Sequence, residues 1–186
     1  MGMRDLCMHI VDLAQNSVDA GSTKVCLTLE ENLPSNILQL TIEDNGRGIA
    51  PEILANLTNP FTTTRTTRKV GLGTSLMDMV CQQAGGKLTI TSEVGIGTKL
   101  VAVMQHDHLD RPPIGDLVST VKLMVLMYND KLDLVFKYVF NNKEFCFSTA
   151  ELKEALGNGI NLSEPEIVHW LEEFLKENIK DLKGAL

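Results

Sequence analysis

From Leu6 to Val18 the apolar residues recur at helical spacing. Cys7, Val11, Ala14 and Val18, with Leu6, Ile10 and Leu13 beside them, form one broad stripe, and Asp12, Asn16 and Asp19 fall on another face. This predicts an amphipathic helix ended by Gly21. The period then changes to two. TKVCLTLE and NILQLTIED read as strands joined by a turn at Asn32 to Asn36, and KLTITSE and TKLVAVMQ read as a second pair around EVGIG. Between the pairs, Pro51 opens a short helix to Leu57, a polar loop runs from Thr58 to Lys69, and a helix spans Gly73 to Ala84 before Gly85-Gly86 stops it.

The pattern restarts after HDHLDRPPIGD, whose paired prolines mark the best boundary. A helix is predicted in IGDLVSTVKLMVLM, then a hairpin of LDLVFKYVF and KEFCFST turning at Asn141-Asn142. Two further helices are expected behind S-x-x-E capping boxes at Ser148 to Glu151 and Ser163 to Glu166. In the last one Ile167, Trp170, Leu171, Phe174, Leu175 and Ile179 share a face that is expected to pack on the rest of the chain. The organisation expected is a domain over residues 1–105, a linker at 106–115 and a helix-hairpin-helix extension at 116–186 that serves a protein partner or a homodimer.

Composition narrows the function. The net charge is −7, with 8 basic and 10 acidic side chains in residues 1–105 and 9 and 14 in residues 106–186, so no nucleic-acid partner is expected. The densest apolar run, VSTVKLMVLM, is short and carries Lys122, and the start MGMRDLC has no signal-like segment; a cytoplasmic protein without membrane contact is expected. Cys7, Cys26, Cys81 and Cys146 are widely spaced in apolar segments and are expected as buried thiols.

Four polar features carry candidate chemistry. Asn16 is a mediocre helix former in mid-helix beside acids, which raises the odds of a site. Ile42 to Ile49, IEDNGRGI, puts Asp44 at a strand end followed by Gly46 and Gly48, which let backbone approach a ligand closely. Val70-Gly71-Leu72-Gly73 leads into a helix start, where free N–H groups suit phosphate. Gly95-Ile96-Gly97-Thr98 forms a turn. Each is weak alone. In addition, FTTTRTTRK, Phe61 to Lys69, holds three cations and no acid, an anion-friendly loop in an acidic protein.

In this order and spacing the pieces resemble the N, G1, G2 and G3 boxes of the GHKL superfamily, which contains gyrase B, heat-shock chaperone ATPases, histidine kinases and MutL; the match covers about Cys7 to Met104. The resemblance implies an α/β (α+β) Bergerat fold, a two-layer sandwich of a mixed β-sheet against helices, followed here by a small α+β extension. It implies ATP or ADP as ligand, with Asn16 holding Mg²⁺. Asp44 then accepts from the adenine amino group, Gly46 and Gly48 make room for the base, and Thr98 supports it through water. Gly71, Leu72 and Gly73 frame the end of a lid, and Phe61, Thr63, Thr64 and Lys69, with Arg65 and Arg68, lie near the γ-phosphate. Asp12, one turn before Asn16, takes the place of the Glu that activates water in hydrolysing branches.

The chain departs from the kinase pattern at Lys69 and Thr74, and it lacks the family's first strand, an edge that the C-terminal hairpin is expected to cover. Three functions follow from the resemblance: a histidine-kinase-like ATPase or protein kinase acting on a partner protein, a MutL- or chaperone-like ATPase that uses ATP for conformational change, and a nucleotide-binding regulatory module. His108, with Arg111, Pro113 and Ile114, faintly echoes a phosphoacceptor box but lacks the acid that should follow the histidine.

Overall fold

The computed structural model describes residues 5–57, 72–129, 131–157 and 161–184. Helix α1 (Leu6–Asp19) is capped by the Asp5 carboxylate, which accepts from Met8 N at 3.0 Å. It ends at Ala20, with Gly21 left-handed at φ +76°. Strands β1 (Lys24–Asn32) and β2 (Ile37–Asp44), the short α2 (Pro51–Leu57), α3 (Leu72–Gln83), β3 (Lys87–Glu93) and β4 (Gly97–Gln105) follow the predicted order. They are succeeded by α4 (Leu117–Tyr128), β5 (Asp133–Phe140), β6 (Lys143–Ser148), α5 (Thr149–Leu156) and α6 (Pro165–Lys183).

The six strands form one mixed sheet in the order β3-β4-β2-β1-β5-β6, in which β1 and β5 are parallel and every other neighbouring pair is antiparallel. Residues 133–148 therefore extend the sheet that residues 24–105 begin, and β5 covers the edge of β1 as expected. Burial alternates along the strands. Val25, Leu27, Leu29 and Glu31 are buried, and Cys26, Thr28 and Glu30 lie half-exposed on the other face. The helices pack on the buried face: α3 against β3 and β4, α1 against β2, α4 against β5, and α6 against β5 and β6. The two layers match the sandwich that the resemblance implied.

Residues 106–115 contain no helix or strand but are pinned. The carbonyls of Pro113 and Ile114 accept from Leu6 N and Cys7 N at 2.9 and 3.0 Å, satisfying first-turn amides of α1. Ser148 caps α5 through Glu151 N. The second capping box fails: α6 starts one residue later, behind Glu164, whose side chain makes no cap bond. Pro165, with its fixed φ and no N–H, takes the first helical position, and Asn161 organises the preceding turn by accepting from Ser163 N. All four cysteines are free thiols; Cys7 and Cys81 are buried, but Cys146 is exposed because strand alternation turns it to the open face. Burial and the neighbouring Asp78 push the Cys81 thiol up to about 12.

Among the described residues one acid faces the core. Glu31, 4% exposed, accepts from Tyr138 Oη, pairs with His106 Nε2 at 2.7 Å and with Lys183 Nζ at 3.2 Å. Burial alone would raise its pKa, but the bonds from His106 and Tyr138 together with the Lys183 charge outweigh that, and the carboxyl lies below its ordinary value near 4.5. A carboxyl whose pKa is depressed by folding contributes stability above the unfolded value, and that contribution is lost as pH falls through the folded one. Urea denaturation should show stability declining as pH drops below about 4.5, and Glu31→Gln should cost about 1–3 kcal/mol at pH 7 with a flatter acid limb.

Candidate functional site

The register of β2 on β4 sets Asp44 opposite Thr98, and α1 crosses above this end of the sheet. Ser17 of α1, 4% exposed, donates to Asp44 Oδ2 at 2.7 Å, and Gly46 N donates to Oδ1 at 2.9 Å. The carboxylate is thus fixed from two sides, and each oxygen keeps a further lone pair. Ser92 Oγ donates to Gly97 O at 2.8 Å, so in its 2.9 Å contact with Thr98 Oγ1 the threonine must be the donor. Thr98 therefore offers lone pairs alone. Ser92 also accepts from Ile49 N at 2.8 Å, which ties the glycine-bearing loop after β2 to β3.

A cavity of about 100 Å³ opens here. Leu13, Ile42, Leu57, Ile90 and Leu100 give it apolar walls, and Asn16, Asp19, Asp44, Arg47 and Thr98 supply polar groups. An apolar slot with a few fixed acceptors suits a flat heteroaromatic ring bearing an amino group. Behind it Ser22 Oγ is buried without a hydrogen-bond partner among the described residues, close to where a side chain on Gly46 would lie.

The glycines are required by close approach. A Cβ on Gly97 would stand 1.9 Å from Asp44 O, and one on Gly48 would stand 2.1 Å from Glu93 O. Gly73, in the first turn of α3, would place a Cβ 3.7 Å from Asp12 Cβ and 3.9 Å from Asn16 Nδ2. The amides of that helix start therefore lie beside the polar row of α1, and the turn carries no acid.

The structure thus brings together Asn16, Asp44, Gly48 and Thr98 around the cavity, with Gly46 behind Asp44 and Gly73 beside Asn16. Asp12 is exposed next to Gly73, outside the cavity lining. Phe61, Thr63, Thr64, Lys69 and Gly71, with Arg65 and Arg68, lie outside the described residues, as does the side chain of Leu72. Sequence reasoning did not find Ser17 or Ser92. Ser17 adjoins Asn16, but nothing in its local sequence marks Asp44 as its partner.

Asp19 is held by a relay from the C-terminal part: Tyr128 Oη donates to Gln15 Oε1 at 3.0 Å, and Gln15 Nε2 donates to Asp19 Oδ1 at 2.9 Å. His108 sits past the far end of β4, about 24 Å of strand from Thr98. Its Nδ1 accepts from Asp110 N. His106 is engaged with Glu31, and no group of three His, Cys, Asp or Glu among the described residues is arranged to hold a metal. No helix among the described residues is long and apolar enough to cross a membrane.

Residues 3–108 match the model of the histidine kinase-, DNA gyrase B- and HSP90-like ATPase domain. The chain is 32% identical over 103 residues to the sensor-like histidine kinase R01002 of Rhizobium meliloti, covering 53% of this chain and 20% of that protein. It is 31% identical over 104 residues to sensor protein SrrB of Staphylococcus aureus, covering 53% of this chain and 17% of that protein. The chain thus spans a fifth or less of the length of these relatives. Among solved structures, the N-terminal domain of a DNA repair protein superposes with a TM-score of 0.51 at 16% identity, over 76% of this chain and 51% of that one. That likeness concerns the fold.

Two glycines of one turn separate conformational strain from close approach. A Cβ added to Gly95, at φ +80°, would meet nothing within 4 Å, whereas one on Gly97, at φ +144°, meets Asp44 O. Gly95→Ala should cost about 1–2 kcal/mol, from left-handed strain alone. Gly97→Ala should cost more than about 3 kcal/mol or abolish soluble folding, because β2 must shift off β4. Thermal melts of the two variants check the order.

Proposed function

Because the chain belongs to the histidine kinase-, DNA gyrase B- and HSP90-like ATPase family, we propose that its cavity binds Mg-ATP and that the protein is a histidine-kinase-like ATPase or protein kinase acting on a partner protein. The observation that carries the nucleotide reading is the Asp44 carboxylate, held by Ser17 and Gly46 and flanked by Thr98, at the end of an apolar slot. Both groups accept, so the slot favours a base that presents an amino group there, as adenine does, over one that presents a carbonyl oxygen, as guanine does.

The phosphates then run toward the first turn of α3, where helix-start amides and its dipole favour anions. Asn16 lies beside that turn and offers an uncharged oxygen. Such a donor suits Mg²⁺, which prefers oxygen ligands and keeps water and phosphate oxygens in its shell. The metal, when bound, neutralises the charge that develops on the transferring phosphoryl group. The cations and hydroxyls of Phe61 to Lys69 are proposed to meet the terminal phosphate. Asp12, beside the same turn, is proposed to take a proton from the attacking group.

The position of Asp12 also favours a second reading, an ATPase of the MutL or chaperone type in which turnover drives a conformational change. The readings separate with γ-labelled ATP: label on protein supports the kinase, and free phosphate without labelled protein supports the second. For the site itself, isothermal titration should find ATP bound at least tenfold more tightly than GTP. Asp44→Asn should weaken ATP at least tenfold while leaving the melting temperature within a few degrees. Asn16→Ala should remove the Mg²⁺ dependence of binding. Unchanged ATP affinity in both variants refutes the assignment. Asp12→Asn should retain binding and lose most of the hydrolysis, and equal rates would remove Asp12 as the base.

A further inference from the structure

The last helix carries the chain's single tryptophan at an unusual place. Trp170 is 47% exposed, although its helical stripe faces the core. One face of its indole stacks on Phe174 at 4.9 Å between centroids and 16° between planes, and Phe174 in turn packs edge-on against Phe145 of β6 at 5.6 Å. The ring is therefore the outer member of an aromatic column rooted in the core, rigid before anything binds. Glu166 and Glu177, one and two turns away on the same side, are exposed and have no ion pair among the described residues; Glu173 shares Lys176 with Glu172.

The second observation is the sheet edge under the column. β6 is the terminal strand, and its outer side pairs with no strand among the described residues. After Lys143 and Glu144 it reads Phe-Cys-Phe-Ser, without the proline or continued charge that usually blunts such an edge. The flank of α6 that faces away from α4 carries Trp170, since Glu172 on the opposite flank reaches Lys122 of α4 at 2.6 Å. The open strand edge, the preorganised ring and the acidic rim thus lie together in the part of the chain that holds 14 acidic and 9 basic side chains.

We propose that β6 and the Trp170 ridge form a docking surface for an extended, positively charged segment of a partner protein. The segment adds a strand to β6 through main-chain hydrogen bonds and lays an arginine or lysine on the free side of the indole, the side away from Phe174 and toward Glu166, with Glu177 adding negative charge farther along the ridge. Charge complementarity selects this occupant over a second copy of the chain, whose own β6 edge would bring the same acidic rim against itself. The inference deepens the partner reading above and is independent of the nucleotide.

The test uses the full-length chain and a fluorescein-labelled peptide of alternating arginine and valine, with a glutamate-valine peptide as control. The basic peptide should bind with a blue shift of the single tryptophan's emission and reduced quenching by iodide, and raising the salt should weaken it. Anisotropy should show at least tenfold weaker binding for Trp170→Ala and an intermediate loss for Trp170→Phe. The Glu166→Gln/Glu177→Gln double variant should lose the salt dependence. Equal binding of the acidic peptide, no binding of the basic one, or affinities within twofold for wild type and Trp170→Ala overturn the proposal. So does a wild-type dimer in sedimentation that Trp170→Ala converts to monomer, since a second copy then occupies the surface. ATP affinity measured on the same samples keeps the two readings apart: lost peptide binding with ATP binding intact sinks only this inference.

Discussion

The Asp44 carboxylate is the point on which the N-terminal half is assembled. It ends β2, receives the Ser17 hydroxyl from α1 and the Gly46 amide from the following loop, and stands opposite Thr98 on β4. Each partner fixes a different element, so one side chain aligns helix, loop and sheet. The price of this alignment is steric. The backbone of Asp44 passes so near Gly97, and that of Glu93 so near Gly48, that neither position has room for a side-chain carbon. Glycines that looked like turn residues are contact residues, and the polar pocket is a consequence of backbones brought unusually close.

The C-terminal part acts on the same architecture from the other side. β5 runs parallel to β1 over eight residue pairs, so β1 is paired on both edges only when residues 133–140 are in place. At one end of β1, Asp133 N donates to Thr23 O; at the other, Glu31 is buried against Tyr138, His106 and Lys183. A buried carboxylate gains little net stability from such partners compared with an apolar residue, but it is costly to leave unpaired. It therefore penalises any arrangement in which the last helix or the hairpin is displaced, and so favours a single register between the two parts of the chain.

How much of this was legible depended on whether the signal was local. The order and type of the elements follow from period and from turn chemistry at Gly21, Pro51 and Gly85-Gly86, and short motifs in sequence order single out Asp44 and Asn16, which the fold brings to one cavity. Ser17 and Ser92 were not found, because a serine in a helix or strand carries no mark of the partner 27 or 6 residues away that it meets in space. Glu31 shares the alternation of Val25, Leu27 and Leu29, but its partners lie 75, 107 and 152 residues away at His106, Tyr138 and Lys183, and nothing local announces them. Ser163 satisfied a capping pattern, yet the fixed geometry of Pro165 moved the helix start past it. Trp170 fits the apolar stripe of α6 by spacing, but it sits at the stripe's margin, where stacking on Phe174 holds it while leaving half of it in solvent.

The two parts also share a polar connection, which links the cavity beside Asp44 to the ridge of α6. Tyr128, 3% exposed at the end of α4, reaches Gln15, and Gln15 reaches Asp19 in the cavity wall. Helix α4 is in turn bonded to α6 through Lys122 and Glu172. From the ridge of α6 to the wall of the cavity there is thus a continuous series of packed helices, each joined to the next by at least one side-chain bond. Contiguity alone is not coupling, because energy passes between two sites only if the intervening element has two arrangements that each ligand weighs differently. The last turn of α1 is where the C-terminal half meets the cavity wall. Among the described residues it is the only part of the cavity wall whose acid is oriented from the C-terminal half, and the exposed Asp19 it carries has no bond to the sheet.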